Sequence, residues 1–284
     1  MAPANPRTRF PTAMPYEMPK IGTRTEMRQT FNQVASLYDQ NRPSYPKAVF
    51  DDLIALSSAG PASRIFEIGC GTGHATQALA TRGLAIDCLE MGENMAALAR
   101  QRLAAYPRVK IIVANFDTWT TTDRYDLIYA ATAYHWLNPA TRDRRIAALL
   151  KSGGHLAIWR NRHIRNGSCD AFLDDAASIY AEDAPELVKR RAQLPRPEEA
   201  VEAEREEVSE EIFEPAVYRL HLWSLPYTAA QYVQMLSTFA DFQMLPAPRL
   251  QHLLDRIENL INANYGGSLV QDYATVLQIS RKRS

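Results

Sequence analysis

Short blocks of continuous apolar residues alternate with stretches in which apolar positions recur every three or four residues, and this rhythm organises the middle of the chain. Strands are expected at 63–68, 84–89, 109–114, 125–130 and 154–160, with helices at about 73–82, 93–105 and 138–151. Strand–helix alternation of this kind predicts an α/β fold whose parallel sheet is covered on both faces. Asn138 followed by Pro139 reads as a helix start, and Lys151-Ser152-Gly153-Gly154 as its stop.

The pattern differs on either side of this core. Prolines at 3, 6, 11, 15 and 19 leave residues 1–24 without periodicity, as expected of a flexible tail. Met27, Phe31, Val34, Ala35 and Leu37 then recur at helical spacing over 25–38, until Pro43 and Pro46 interrupt. A second helix is expected over 48–57. Beyond Asn161, residues 170–192 look helical, 216–224 alternate like a strand, 228–238 and 247–263 return to helix, and 273–280 reads as a last strand. Nine glutamates between Glu198 and Glu214 read as a solvated helix face or loop. The resulting division is 1–24 tail, 25–60 N-terminal cap helices, 61–161 nucleoside-binding core, 162–215 cap insertion and 216–284 completion of the sheet.

Composition narrows the function classes. With 284 residues, 32 basic and 32 acidic side chains and no net charge, the chain has no general attraction for nucleic acid or anionic membrane. No apolar run has the length of a membrane span, and the first residues lack a signal-peptide core. Cys70, Cys88 and Cys169 fit neither a metal-ligand spacing nor a paired framework, so no metal is expected and reduced, cytoplasmic thiols fit best.

Candidate chemistry is concentrated in Arg64–Gly73, "RIFEIGCGTG". A buried strand breaks into a loop with glycines at 69, 71 and 73, and Glu67 stands two positions before the first of them. Such a loop makes a tight turn and admits a ligand close to the backbone. The carboxylate disfavours a diphosphate and favours the amino group of an amino-acid-bearing nucleoside such as S-adenosylmethionine. Glu90, 17 residues after Gly73 at the tip of the next strand, is placed to accept from two ribose hydroxyls. Each feature also has a plain structural reading: a ligand-free turn for the glycines, a surface carboxylate for Glu90.

Taken together, "FNQVASLYDQNRPSYP", "FEIGCGTGHAT", "CLEMGENM", "VANFDTW" and "DLIYAATAYHWLNP" resemble the class I S-adenosylmethionine-dependent methyltransferases, especially the small-molecule subset that includes trans-aconitate methyltransferase. The resemblance implies a Rossmann-like seven-stranded sheet with its last strand antiparallel. It also implies a mostly helical cap built from the N-terminal helices and the insertion between the fifth and sixth strands. It suggests Glu67 and Gly69, with Gly71 and Gly73, at the methionine part of the cofactor, and Glu90 at the ribose. Met91 and Phe116 would flank the adenine, and Asn115 would accept from its amino group where many relatives carry aspartate. Tyr38 and Arg42 would fold over the cofactor, Arg42 against its carboxylate, and Met95 and Ala131 complete the set. Core packing accounts for Met91 and Phe116 as well as adenine contact does, and Arg42 reads equally as a surface charge.

Methyl transfer requires alignment and dryness more than a protein nucleophile. His135, after the fourth strand, is the candidate base; a substrate hydrogen-bond donor or a packed residue are its other readings. Tyr134 and Trp136 would shape the pocket or the core, and Tyr134, Trp159 and Arg160 are candidates for the substrate side. Arg160 or Arg162, leaving the fifth strand, would meet an anionic substrate or solvent, and His221, Trp223 and Tyr227 would line the cap or simply pack. The reading is transfer of a methyl group to a small-molecule acceptor by a monomer or homodimer. A nucleic-acid methyltransferase and a non-catalytic cofactor-binding regulator are the alternatives; a nicotinamide dehydrogenase fits the loop spacing poorly.

Overall fold

The structure, a computed structural model, describes residues 30–191 and 194–284. The expected tail 1–24 and the start of the first expected helix, Met27 included, lie outside these residues. The strands are β1 Arg64–Ile68, β2 Ala85–Glu90, β3 Val109–Val113, β4 Tyr125–Ala131, β5 Leu150–His163, β6 Val217–Thr228 and β7 Ser268–Arg281. They form one seven-stranded sheet in the order β3-β2-β1-β4-β5-β7-β6. Neighbours from β3 to β5 are parallel, and β7 runs antiparallel to both β5 and β6. This is the Rossmann-like methyltransferase sheet.

Burial on both faces explains why these strands carry continuous apolar runs. On one face Ile65, Ile86, Leu127 and Trp159 pack with α2 (Lys47–Ser57), α3 (His74–Ala80) and α4 (Glu93–Arg102); α1 (Ala35–Asn41) precedes them. On the other, Phe66, Ile68, Ile128 and Ile158 pack with α5 (Arg142–Leu149). A separate helical core joins α6 (Asp170–Asp183) to α9 (Ala229–Ser237) and α11 (Ala247–Asn264) through Phe172, Ile179, Tyr232, Leu236 and Ile257. The residues between β6 and β7 therefore pack with the insertion. The short helices α7 (Val188–Arg191), α8 (Ala200–Glu204) and α10 (Ala240–Gln243) complete the set.

Several local expectations are corrected. The helix expected at 138 begins at Arg142, because the Asn138 side chain accepts from the Ala140 N–H at 3.1 Å and holds a turn instead. Lys151–Gly154 is not a helix stop but the opening of β5, where the pairing with β4 slips between Tyr125–Leu150 and Leu127–His155. The helix expected over 170–192 ends at Asp183, ahead of Pro185. The acidic run is not wholly solvated: Glu204 is 5% exposed and takes the Arg160 guanidinium.

Candidate functional site

The carboxyl ends of β1, β2, β4 and β5 open into a cleft of about 230 Å³, where parallel α/β sheets place ligands. Its floor is the β1–α3 loop. Gly69 and Gly71 stand at φ +70° and +56°, and the Gly69 N–H reaches the Leu89 carbonyl at 2.7 Å, folding the loop over the tip of β2. A Cβ on Gly69 would lie 2.8 Å from that of Ala133, whereas one on Gly71 would meet nothing within 4 Å. The loop is thus packed tightly on its inner side and open toward the cleft. Gly73 does not line the cleft; it caps α3, and a Cβ there would meet Leu103 at 3.0 Å.

Two carboxylates flank this loop. Glu90 accepts the Gly71 N–H and the Gly92 N–H, one on each oxygen and both at 2.8 Å, which fixes its head at the cleft wall. Glu67 sits in the sheet row Cys88–Glu67–Tyr129 and is 1% exposed. The Thr76 hydroxyl donates to its Oε2, and the Tyr129 hydroxyl does so at 2.7 Å. Burial nevertheless dominates, and its pKa is pushed up to about 7.

The roof comes from the N-terminal segment. Tyr38 packs edge-on against Phe31 at 5.9 Å, and Phe31 against Trp136 at 5.6 Å. Asn32 accepts the Asn94 N–H at 2.8 Å, tying the segment to the start of α4. Met91, Met95, Phe116 and Ala131 line the walls. Asn115 does not: its Oδ1 accepts the Asp117 N–H at 3.0 Å, while its neighbours Ala114 and Phe116 face the cleft. That bond holds a turn just after β3.

Beyond β4 the same cleft continues as a chamber beside the end of β5. Thr132 holds φ +58° at the end of β4, a conformation that is strained for a β-branched residue. Tyr45 pins it with a hydroxyl–hydroxyl bond of 2.7 Å. His135 lines this chamber beside Trp136, ring centroids 4.8 Å apart. Arg42, Arg160, Arg162, Arg190 and Arg191 also line the cleft, with Asp241 and His163. Sequence reasoning missed Thr132, Arg190, Arg191, His163 and Asp241, because Arg191 and Asp241 meet only through folding, as a buried pair at 2.8 Å.

Tyr134 and Trp159, expected at the acceptor, lie outside the main cleft. Tyr134 is 1% exposed, donates to Asp143, and has the Arg142 guanidinium 3.8 Å above its ring. Trp159 stacks on Tyr129 at 5.2 Å under α2, since alternation along β5 sends it and Arg160 to opposite faces. His221 lies 3.2 Å from Asp52, Trp223 donates to Thr275, and Tyr227 shares a hydroxyl bond with Tyr273; all three pack rather than line the cleft.

The residues fit S-adenosylmethionine: a glycine cradle with room on its ligand side, a fixed carboxylate at the second strand tip, and a buried acid in place of phosphate-binding cations. Among the described residues no cluster has the makings of a metal site, and no helix is long and apolar enough to cross a membrane.

Known proteins agree. Residues 65–154 match the methyltransferase domain family. An uncharacterised methyltransferase of Mycobacterium tuberculosis is 27% identical over 261 residues, covering 89% of this chain and 96% of its own. A trans-aconitate 2-methyltransferase of Rhizobium rhizogenes is 34% identical over 110 residues, covering 38% of this chain and 42% of its own. Among solved structures, an N-methyltransferase of Haemonchus contortus in complex with S-adenosylhomocysteine has a TM-score of 0.50 at 15% identity, covering 94% of this chain and 62% of its own. YjhP of E. coli has a TM-score of 0.52 at 12% identity, covering 88% and 98%. With the sheet order and the match over residues 65–154 pointing the same way, the chain carries a methyltransferase domain on a Rossmann-like methyltransferase fold, and these findings support an S-adenosylmethionine-dependent methyltransferase.

Proposed function

We propose that this enzyme methylates a small molecule held in the chamber beyond β4, with the cofactor's nucleoside in the half of the cleft over β1 and β2. The observation that carries this reading is the continuity of one cleft from the glycine loop and Glu90 to His135 and the arginines. When bound, S-adenosylmethionine supplies a methyl group already activated on a sulfonium, so the protein has to hold, orient and desolvate.

In this reading Glu90 accepts from the ribose hydroxyls, Met91 and Phe116 flank the adenine, Met95 and Ala131 complete the wall, and Glu67 faces the amino group. Tyr38 and Phe31 close over the cofactor from the N-terminal side, excluding water from the transfer path. Arg42, bonded to the Thr238 carbonyl at 3.2 Å, stands between the two compartments. His135 takes a proton from an acceptor that arrives protonated, or hydrogen-bonds one that does not.

The small cleft and balanced charge favour a small acceptor over nucleic acid. The test is transfer of label from methyl-labelled S-adenosylmethionine to a panel of carboxylic acids, phenols and amines, trans-aconitate included because of the similarity above. Labelling of a panel member with saturable kinetics supports the proposal. Labelling of RNA or DNA alone would overturn it.

A further inference from the structure

The chamber beyond β4 holds more positive charge than its own carboxylates balance. Arg160 is paired with Glu204 and, at 3.6 Å, with Glu206. Asp241 takes Arg191 at 2.8 Å and Arg190 at 3.3 Å. Arg162 shares Glu204, approaching it at 3.5 Å without a hydrogen bond. Arg42 has the Thr238 carbonyl, the face of Phe239 3.7 Å from its guanidinium carbon and that of Tyr38 at 5.2 Å, but no ion pair with a carboxylate among the described residues. Among the described residues, five arginines here thus face the three carboxylates of Glu204, Glu206 and Asp241.

The imbalance shows at named atoms. The Nε groups of Arg42, Arg162 and Arg191 and the Nε2 of His163 are all buried without a hydrogen-bond partner among the described residues, although all four residues line the cleft. The Arg191 guanidinium lies 4.1 Å from the centroid of the same Phe239 ring that Arg42 covers, so the two cations share one aromatic wall. His163 is wedged edge-on between Phe239 at 5.6 Å and Tyr273 at 4.9 Å. Burial and the charges of Arg191, Arg42 and Arg162 hold its pKa well below the usual histidine value, so the ring offers a nitrogen without adding a charge. Buried cations with idle donors are unfavourable unless something satisfies them.

Topology places this excess on the acceptor side. Glu90 ends β2 and the glycine loop follows β1, whereas Arg162 and His163 end β5, on the far side of β4. We propose that Arg162, Arg191 and His163, with Arg42 at the boundary, form an oxyanion subsite, and that the methyl acceptor is a small molecule carrying a carboxylate or phosphate group seated there. Arginine forks suit either group, because both offer paired oxygens. The proposal rests on the functional reading above and names the acceptor's chemical class.

The test is calorimetric titration of the full-length protein saturated with S-adenosylhomocysteine, so that the cofactor's own carboxylate already occupies its place. The probes are citrate, inorganic phosphate and the neutral ester triethyl citrate. Citrate or phosphate should bind and the ester should not; which anion binds tells carboxylate from phosphate. Arg162→Gln and Arg191→Gln should each weaken anion binding about tenfold or more while leaving S-adenosylhomocysteine affinity within about twofold. The second measurement also reports folding, which matters for Arg191 because it pairs with a buried aspartate.

Absence of anion binding to the loaded wild type, equal binding of the ester, or an Arg162→Gln variant that binds anions like wild type would each overturn the subsite. Failure of S-adenosylhomocysteine itself to bind refutes the functional reading instead. Citrate and phosphate titrated into the unloaded protein then still decide the subsite.

Discussion

Glu67→Gln is the most informative single perturbation. In the folded protein the carboxyl is pushed from 4.5 up to about 7, burial outweighing the hydrogen bonds from Thr76 and Tyr129. The folded state therefore binds a proton that the unfolded state releases between these two values, and stability falls as pH rises through that window. A shift of this size corresponds to about 3 kcal/mol, absent below the lower value and fully expressed above the upper one. Glutamine has no such titration, so the variant's urea-melt stability should lack this decline between pH 4.5 and 7 that the wild type shows.

Cofactor binding should respond with the opposite sign. A cationic amino group favours the ionised carboxylate, so affinity for S-adenosylhomocysteine should rise with pH up to about 7, and binding below it should release a proton. Calorimetry in buffers of different ionisation enthalpy counts that proton. Loss of the release in Glu67→Gln supports the reasoning. A wild-type affinity flat from pH 5 to 8, with no proton released and a stability profile parallel to the variant's, would refute it.

Other substitutions separate cradle, wall and scaffold. Gly69→Ala places a Cβ 2.8 Å from that of Ala133 at φ +70°; it should destabilise by about 2 kcal/mol or more in urea melts. Gly60→Ala has open space at the new atom and should stay within about 0.5 kcal/mol of wild type. Glu90→Ala removes the acceptor of the Gly71 and Gly92 N–H groups as well as the proposed ribose contacts. It should weaken S-adenosylhomocysteine by about 30-fold or more by calorimetry. Tyr134→Phe deletes a hydroxyl bonded to Asp143 outside the main cleft. It should lower stability by about 1–2 kcal/mol while kcat for methyl transfer stays near wild type.

The core was legible because each of its signals is local. Ile65 and Phe66 are buried on opposite faces of one strand, which makes the apolar run continuous, and Glu67 stands out as the acid interrupting it. Glu90 could be placed because it closes a strand, and strand ends define where such sheets bind. The side-chain direction at the next tips was less legible. Tyr134 and Trp159 follow the same rule in sequence, yet one turns toward Asp143 and the other under α2. Asn115 is drawn into its own turn by the Asp117 N–H, a choice that composition leaves open.

The chamber was nearly invisible for a different reason. Arg191 and Asp241 are separated by 50 residues and carry no common motif, so only packing of the insertion against the β6–β7 segment brings them together. Glu204 sat within a run of glutamates that reads as solvent-facing, and nothing in that run marks the one buried against Arg160. Charges that pair across elements leave no periodicity to read.

A crystal structure of the protein with S-adenosylhomocysteine tests the central claim most directly. The ribose hydroxyls should lie within hydrogen-bond distance of Glu90, with the sulfur facing the chamber of His135 and the arginines. A nucleoside bound elsewhere, or a sulfur turned away from that chamber, would contradict it.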